Sequence, residues 1–377
     1  MAAPLVKWDD TANQFRAYED NDSGLTAFQV KWDDTYNRFR ILGNMLLPPA
    51  GLLGDNRKQA ANWLDSGGHF SINFRPMYAF DASLNNLWCS PSGSTASDLA
   101  FQGDFLYRAG DSAFLFDYES YDKYDNIGNK LFSVDTGDDG MGIDVDSSGN
   151  VYLAGRRASN RSVWKYNSVG VEQWNYDTGG VALGIKVDGS GNVFIASARG
   201  TNGDGTFSAW KLDSSGSFVW GFDSNGTCFD IDLDGSGNVI LGALATGAEA
   251  SDHQVYKLNS AGVEQWNADI DDAAKRITID GSDNIYGTGY DTTNSKPVFK
   301  LNSAGVEQWS YDIGATGECI GLDSSGNVYV GSIRSTNGDG TFSLWKLNNA
   351  GVFQAGFDDG YGIAAMTIDS DIIYVGQ

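Results

Sequence analysis

The stretch KLNSAGVEQW stands twice without change, at residues 257–266 and 300–309, and once more as KYNSVGVEQW at 165–174. Its centre, N-S-A-G, is turn chemistry, because Asn and Gly tolerate the left-handed backbone that tight hairpins require. The residues on either side suit extended chain, so the decapeptide reads as strand, turn, strand. Leu301 belongs to the sheet face, residues 302–305 make the turn, and Trp309 lies on the return strand. A second signature, D-x-x-G-N-V-Y, precedes each copy: DSSGNVY at 146–152, DGSGNVF at 188–194, DGSGNVI at 234–240, DGSDNIY at 280–286 and DSSGNVY at 323–329. Successive Asp positions differ by 42, 46, 46 and 43 residues, which fits one four-stranded propeller blade and is too long for a leucine-rich repeat.

Counting copies predicts how the array closes. Degenerate forms of the first unit begin at Lys123 and Ala79 and join those at Lys165, Lys211, Lys257, Lys300 and Lys346. The second unit is read at Asp98 (DLAFQGDFLY, degenerate), at the five positions above, and at Asp369 (DSDIIY). The last copy has no successor and the first has no predecessor. The expectation is therefore an all-β, seven-bladed β-propeller whose seventh blade is composite, strands near residues 367–375 pairing with strands near 78–88. Such closure removes free sheet edges. Asp65 (DSGGHF) would permit an eighth, partial blade. The Trp that five of the seven units carry, at Trp88, Trp174, Trp220, Trp266 and Trp309, is expected to pack between neighbouring blades.

Composition agrees. Forty-eight glycines among 377 residues, with 13% aromatics, suit many tight turns between short strands. A formal charge of −24 repels phosphate backbones and anionic bilayers, so neither nucleic acid nor membrane insertion is expected. Cys89, Cys228 and Cys319 are too few and too scattered for a disulfide framework or a metal cage. MAAPLVKWDD has neither the charged nor the apolar region of an export signal, which argues against a Sec-type route.

Residues 1–60 form a separate segment before a propeller assigned to 61–377. They carry their own repeat, VKWDDTANQFRAY at 6–18 and VKWDDTYNRFRIL at 30–42, each a short hairpin. A single hairpin is marginal in water, so these are expected to need a partner surface, with Trp8, Phe15, Trp32 and Phe39 supplying apolar contacts. The following ILGNMLLPPAGLLG at 41–54, with Leu46 and Leu47, reads as a linker on the propeller flank or as a docking peptide. RKQAANWL at 57–64 suits a short helical turn.

The paired signatures resemble the bacterial seven-bladed SBBP-type repeats and, more distantly, the PQQ-like quinoprotein repeat. That likeness covers residues from about 78 to the end and implies the fold, not a function. The V-K-W-D-D-T-x-N-x-F-R hairpins resemble short repeats near the start of tailed-phage fibre and appendage proteins. This implies a virion protein, attached through its N-terminus to other virion structural proteins.

Chemistry is sparse in the sequence. His69 and His253 belong to no catalytic motif, and no GxSxG, HExxH, P-loop or Rossmann pattern occurs. The chain is read as a non-enzyme without a cofactor, a fibre, appendage or decoration protein assembled in the host cytoplasm and displayed for attachment to a host glycan or receptor. Two alternatives are a free-standing bacterial propeller that binds a glycan or protein, and a glycosidase or lyase using rim carboxylates. Asp144 with Asp146 and Asp232 with Asp234 approximate the start of a calcium loop, but the closing Glu is missing and hairpin-forming Asp is the favoured reading. Two loops share NGDGTFS, at 202–208 and 337–343. Asn202, Asp204, Asn337 and Asp339 are the possible rim contacts, although recent duplication explains the identity equally simply.

Overall fold

The computed structural model describes the backbone of residues 5–9, 14–18, 29–33 and 38–42. It further describes residues 75–377 apart from 85, 93–94, 112–119, 127–128, 159, 245–252, 271–272, 291–296 and 359. The chain divides into two compact units, Met1–Pro76 with Cys89–Gly93 and Met77–Trp88 with Ser94–Gln377.

In the first unit, β1 (Leu5–Asp9), β2 (Gln14–Tyr18), β3 (Gln29–Asp33) and β4 (Arg38–Leu42) form one antiparallel sheet in the order β1-β2-β3-β4. The two sequence repeats are its two hairpins, in matching register: Trp8 stands opposite Phe15, and Trp32 opposite Phe39. Pairing of Phe15 with Val30 joins the hairpins into a single meander. Leu46, Leu47 and residues 57–64 lie outside the described residues, as does Asp65.

The second unit is the expected propeller. Seven four-stranded antiparallel sheets form it, and their inner strands neighbour one another in a closed cycle. We number the blades by position: blade 1 spans residues 95–134, blade 2 140–176, blade 3 182–222, blade 4 228–268, blade 5 274–311 and blade 6 317–357. Blade 7 is composite. Its two inner strands, Ala365–Asp369 and Ile372–Gly376, come from the C-terminus; its two outer strands, β5 (Arg75–Phe80) and β6 (Asn86–Ser92), come from the beginning of the ring. The seam is antiparallel, with Ile373 opposite Phe80 and Val375 opposite Tyr78.

Buried side chains gather into seven clusters, one at each blade boundary. Ile143, Leu153 and Trp164 of blade 2 pack with Tyr107 and Tyr121 of blade 1. Phe80, Ile373 and Val375 of blade 7 pack with Tyr329 and Leu344 of blade 6. No blade covers both of its own faces, so the ring is stable only as a whole.

The repeat now has a physical account. The indole of Trp309 lies over Gly351, in the turn of the next blade, so close that a Cβ there would come within 2.6 Å of the ring. Its Nε1–H donates to the Asn349 carbonyl at 2.9 Å. Trp174, Trp220 and Trp266 meet Gly216, Gly262 and Gly305 in the same way. The Trp of one copy is thus the partner of the Gly of the following copy. The side chain of Trp88 lies outside the described residues.

One detail differs from the sequence reading. Asp98, expected to start a degenerate turn unit, sits within the inner strand of blade 1, and the turn of that hairpin is Gly103-Asp104. A two-residue turn replaces the longer one of the other blades, which displaced the alignment.

Candidate functional site

Inner strands of all seven blades surround an axial cavity of about 380 Å³. Position along a strand decides what faces it. Asp98, Gly142, Gly184, Asp230, Arg276 and Cys319 occupy equivalent places, each just after the irregularity that opens the inner strand's pairing. Two residues on, and again facing the axis, come Asp144, Lys186, Asp232, Thr278 and Gly321.

The aspartates act as ties between blades. Asp98 accepts the backbone N–H of Leu99 at 2.9 Å and, through its other oxygen, that of Ile143 in blade 2 at 2.9 Å. Asp144 likewise accepts Val145 and then Val187 of blade 3, and Asp230 accepts Ile231 and then Ile277 of blade 5. Each carboxylate therefore satisfies a backbone donor that the ring geometry would otherwise strand.

Two cations complete the cavity. Lys186 pairs with Asp232 at 3.3 Å, and the Asp232 and Asp144 carboxylates push its pKa upward. Arg276 of blade 5 reaches across the axis to donate to the Ser97 carbonyl of blade 1 at 3.3 Å. Burial raises the Asp98 carboxyl to about 7 against the opposing pull of Arg276, and raises Asp144 and Asp230 in the same sense. Burial also lifts the Cys319 thiol to about 12, so it carries no thiolate at neutral pH. The channel is thus a cross-braced polar core in which each of these three acids already accepts two N–H groups.

Sequence reasoning passed over Asp98, Asp230, Arg276 and Lys186. The available signal at Asp98, Asp230 and Arg276 was departure from the Gly142, Gly184 and Cys319 that stand at the same place in other blades, whereas Lys186 shares its place with Asp144, Asp232 and Thr278.

The four expected rim residues lie on matching hairpins of blades 3 and 6. These stand on the face that carries the blade-to-blade connections, opposite the D-x-x-G-N turns. Asn202 donates to the Asp177 carbonyl at 2.6 Å and to the Tyr176 hydroxyl at 2.9 Å, and that hydroxyl donates to Asp204 at 2.6 Å. Asn337, Tyr311 and Asp339 repeat the arrangement. These side chains tie the hairpins of blades 3 and 6 to the outer-strand ends of blades 2 and 5.

The calcium candidates are used similarly. Asp146 accepts the N–H groups of Ser148 and Asn150, and Asp234 those of Ser236 and Asn238, while Asp144 and Asp232 face the axis. His253 hydrogen-bonds Asp269 at 2.6 Å beside Tyr256, away from the channel.

No family model matches the sequence, and no curated protein matches it. Among solved structures, the chain is similar to a streptogramin B lyase (12% identity, TM-score 0.58, covering 80% of this chain and 98% of that one). Virginiamycin B lyase from Staphylococcus aureus is similar at 10% identity and TM-score 0.58, with the same coverage. BamB from Moraxella catarrhalis is found at 13% identity and TM-score 0.47, over 74% of this chain and 93% of that one. At such identities the likeness shows a shared propeller fold alone.

Proposed function

We propose that this chain is a non-enzymatic structural protein of a tailed-phage particle, anchored by the repeats of its first unit and displaying the propeller for attachment to a host surface. The observation that carries this reading is the division into two unlike compact units. One is a closed ring whose titratable axis is committed to holding blades together. The other is a single meander of five-residue strands built from a different repeat, with edge strands β1 and β4 suited to adding strands of a partner. On this reading Trp8, Phe15, Trp32 and Phe39 supply the apolar contacts of the anchor.

Sedimentation of the full-length chain beside a chain beginning at Asp55 tests it. The full chain should self-associate or sediment with particles, and the shortened chain should remain a folded monomer. Equal sedimentation of both as compact monomers favours a free-standing binding protein instead. Incubation with host-type polysaccharide should release no oligosaccharide; release would establish a glycosidase or lyase.

A further inference from the structure

The commitment of the axis to blade ties has one gap, an arc from blade 3 to blade 5 inside the cavity of about 380 Å³. That volume lies within the range of small-molecule sites.

The arginines show the first exception. Arg108, Arg156, Arg161, Arg199 and Arg334 each pair with a carboxylate. Arg276 lines the axial cavity and has no ion-pair partner among the described residues. Of the five N–H donors that a guanidinium carries, it spends two on carbonyls, that of Ser97 at 3.3 Å and that of its neighbour Lys275 at 3.5 Å. The remaining donors keep a fork that matches a carboxylate.

The acids of the same layer do not fill that fork. Both oxygens of Asp98 and of Asp230 already hold backbone N–H groups. Burial lifts Asp98 to about 7 and Asp230 in the same direction, which lowers the negative charge beside the guanidinium. Cys319, in the next blade, stays uncharged at neutral pH.

The aspartates show the second exception. Asp98, Asp144 and Asp230 each use one oxygen to tie the next blade. Asp232 does not. One of its oxygens takes the Leu233 N–H at 2.9 Å and the Lys186 ammonium at 3.3 Å, and the other accepts no hydrogen bond among the described residues. The Thr278 hydroxyl is likewise unused among them, and Lys186 keeps further N–H donors.

These groups are contiguous. Lys186, Asp232 and Thr278 stand at one depth on the adjacent blades 3, 4 and 5, and all three line the cavity. Arg276 stands two residues from Thr278 on the same inner strand, roughly 6.6 Å along it.

We propose that this arc of the axial cavity is a binding site for a sugar acid, a pyranose bearing one carboxylate, with the carboxylate on Arg276 and ring hydroxyls on Thr278, Asp232 and Lys186. A hydroxyl both donates and accepts, so it matches an open carboxylate oxygen, a threonine hydroxyl or an ammonium, whereas only an anion makes full use of the guanidinium fork. A ring with its carboxylate on one side and hydroxyls on the other spans a gap of about two strand residues. The −24 charge of the chain opposes polyanions, so the ligand presents a single acidic group. Its source is either the acidic end residue of a surface glycan or the free sugar acid. The glycan source rests on the reading of the propeller as an attachment module, yet the two fail separately, since sugar binding is measured on purified protein without particles.

Saturation-transfer NMR on the full-length chain, with D-glucuronate and D-galacturonate as probes, should show at least one binding with Kd of roughly 1 mM. The methyl ester of the bound uronate and the corresponding neutral hexose should give no signal, a comparison that leaves the protein untouched. Arg276→Lys keeps the charge, loses the fork and should weaken binding about tenfold. Thr278→Val should weaken it about fivefold, the loss of one neutral hydrogen bond. Lys165→Met, outside the axial cavity, should leave it unchanged. Absence of signal from both uronates, equal binding of acid and ester, or binding indifferent to both cavity substitutions overturns the proposal. An oligosaccharide ending in the bound uronate separates the sources: its binding supports the glycan, and binding of the free acid alone assigns the site to the free sugar acid. Uronate binding with a failed sedimentation test keeps the cavity site and removes the virion reading; the reverse result removes the cavity site alone.

Discussion

Replacing Ile373 by Ala tests whether the composite blade closes the ring as a cooperative unit. Ile373 is fully buried, stands opposite Phe80 across the seam, and packs with Tyr329, Leu344 and Met366. Truncation removes three carbons, about 2.5 kcal/mol of transfer free energy at ~0.8 kcal/mol per methylene. The cavity left behind adds to this and brings the loss into the range of roughly 2–5 kcal/mol. Against a net stability of about 5–15 kcal/mol, that is a large fraction. With a urea slope near 3 kcal/mol per molar, the midpoint should fall by about 1 M. Equilibrium unfolding of the full chain, followed by tryptophan fluorescence, reads this directly, since Trp164 and Trp210 are buried in blades 2 and 3, away from the seam. A single transition displaced as a whole is expected. An unmoved midpoint, or a separate early step that leaves the main transition in place, would refute closure through this seam.

Two further outcomes follow from the same contacts. Gly351→Ala should destabilise by about 1–3 kcal/mol, because φ is +75° there and the added carbon would meet the Trp309 ring. Trp309→Phe should cost about 1 kcal/mol for the lost hydrogen bond to Asn349, plus the smaller ring, and paired urea curves would check both. A third outcome concerns pH. Asp98 in the folded protein holds its proton up to about pH 7, whereas the unfolded chain releases it near the ordinary carboxylate value of 3.8. Folding therefore takes up a proton between those values, and this contribution is complete below the lower pKa and lost as pH rises through the upper one. Relative to Asp98→Asn, the wild type should lose roughly 2–3 kcal/mol between about pH 5 and pH 8. Parallel curves for the two proteins would show that Asp98 is ionised throughout.

The periodic units, their number and the composite seam were legible because they are local or simply countable. Turn chemistry in D-x-x-G-N and N-S-A-G is set by residues within five positions of one another. Ring closure follows from an unmatched unit at each end. Even the displaced reading at Asp98 has a local cause, the shortened Gly103-Asp104 turn, which no periodicity announces.

The sites were different. Asn202 and Asn337 lie in loops that the sequence marks only by their identity to each other, and nothing in either loop names its partners in the preceding blade. Those partners, Tyr176 and Asp177 for Asn202 and Tyr311 and Asp312 for Asn337, are supplied across a blade boundary. The same holds for Arg276, whose reach to Ser97 spans 179 residues of sequence and the width of the channel. Sequence alone determined the blade, because backbone preference and strand alternation are short-range properties. Only the tertiary structure decided which polar groups are satisfied, because that depends on what the ring brings opposite each of them.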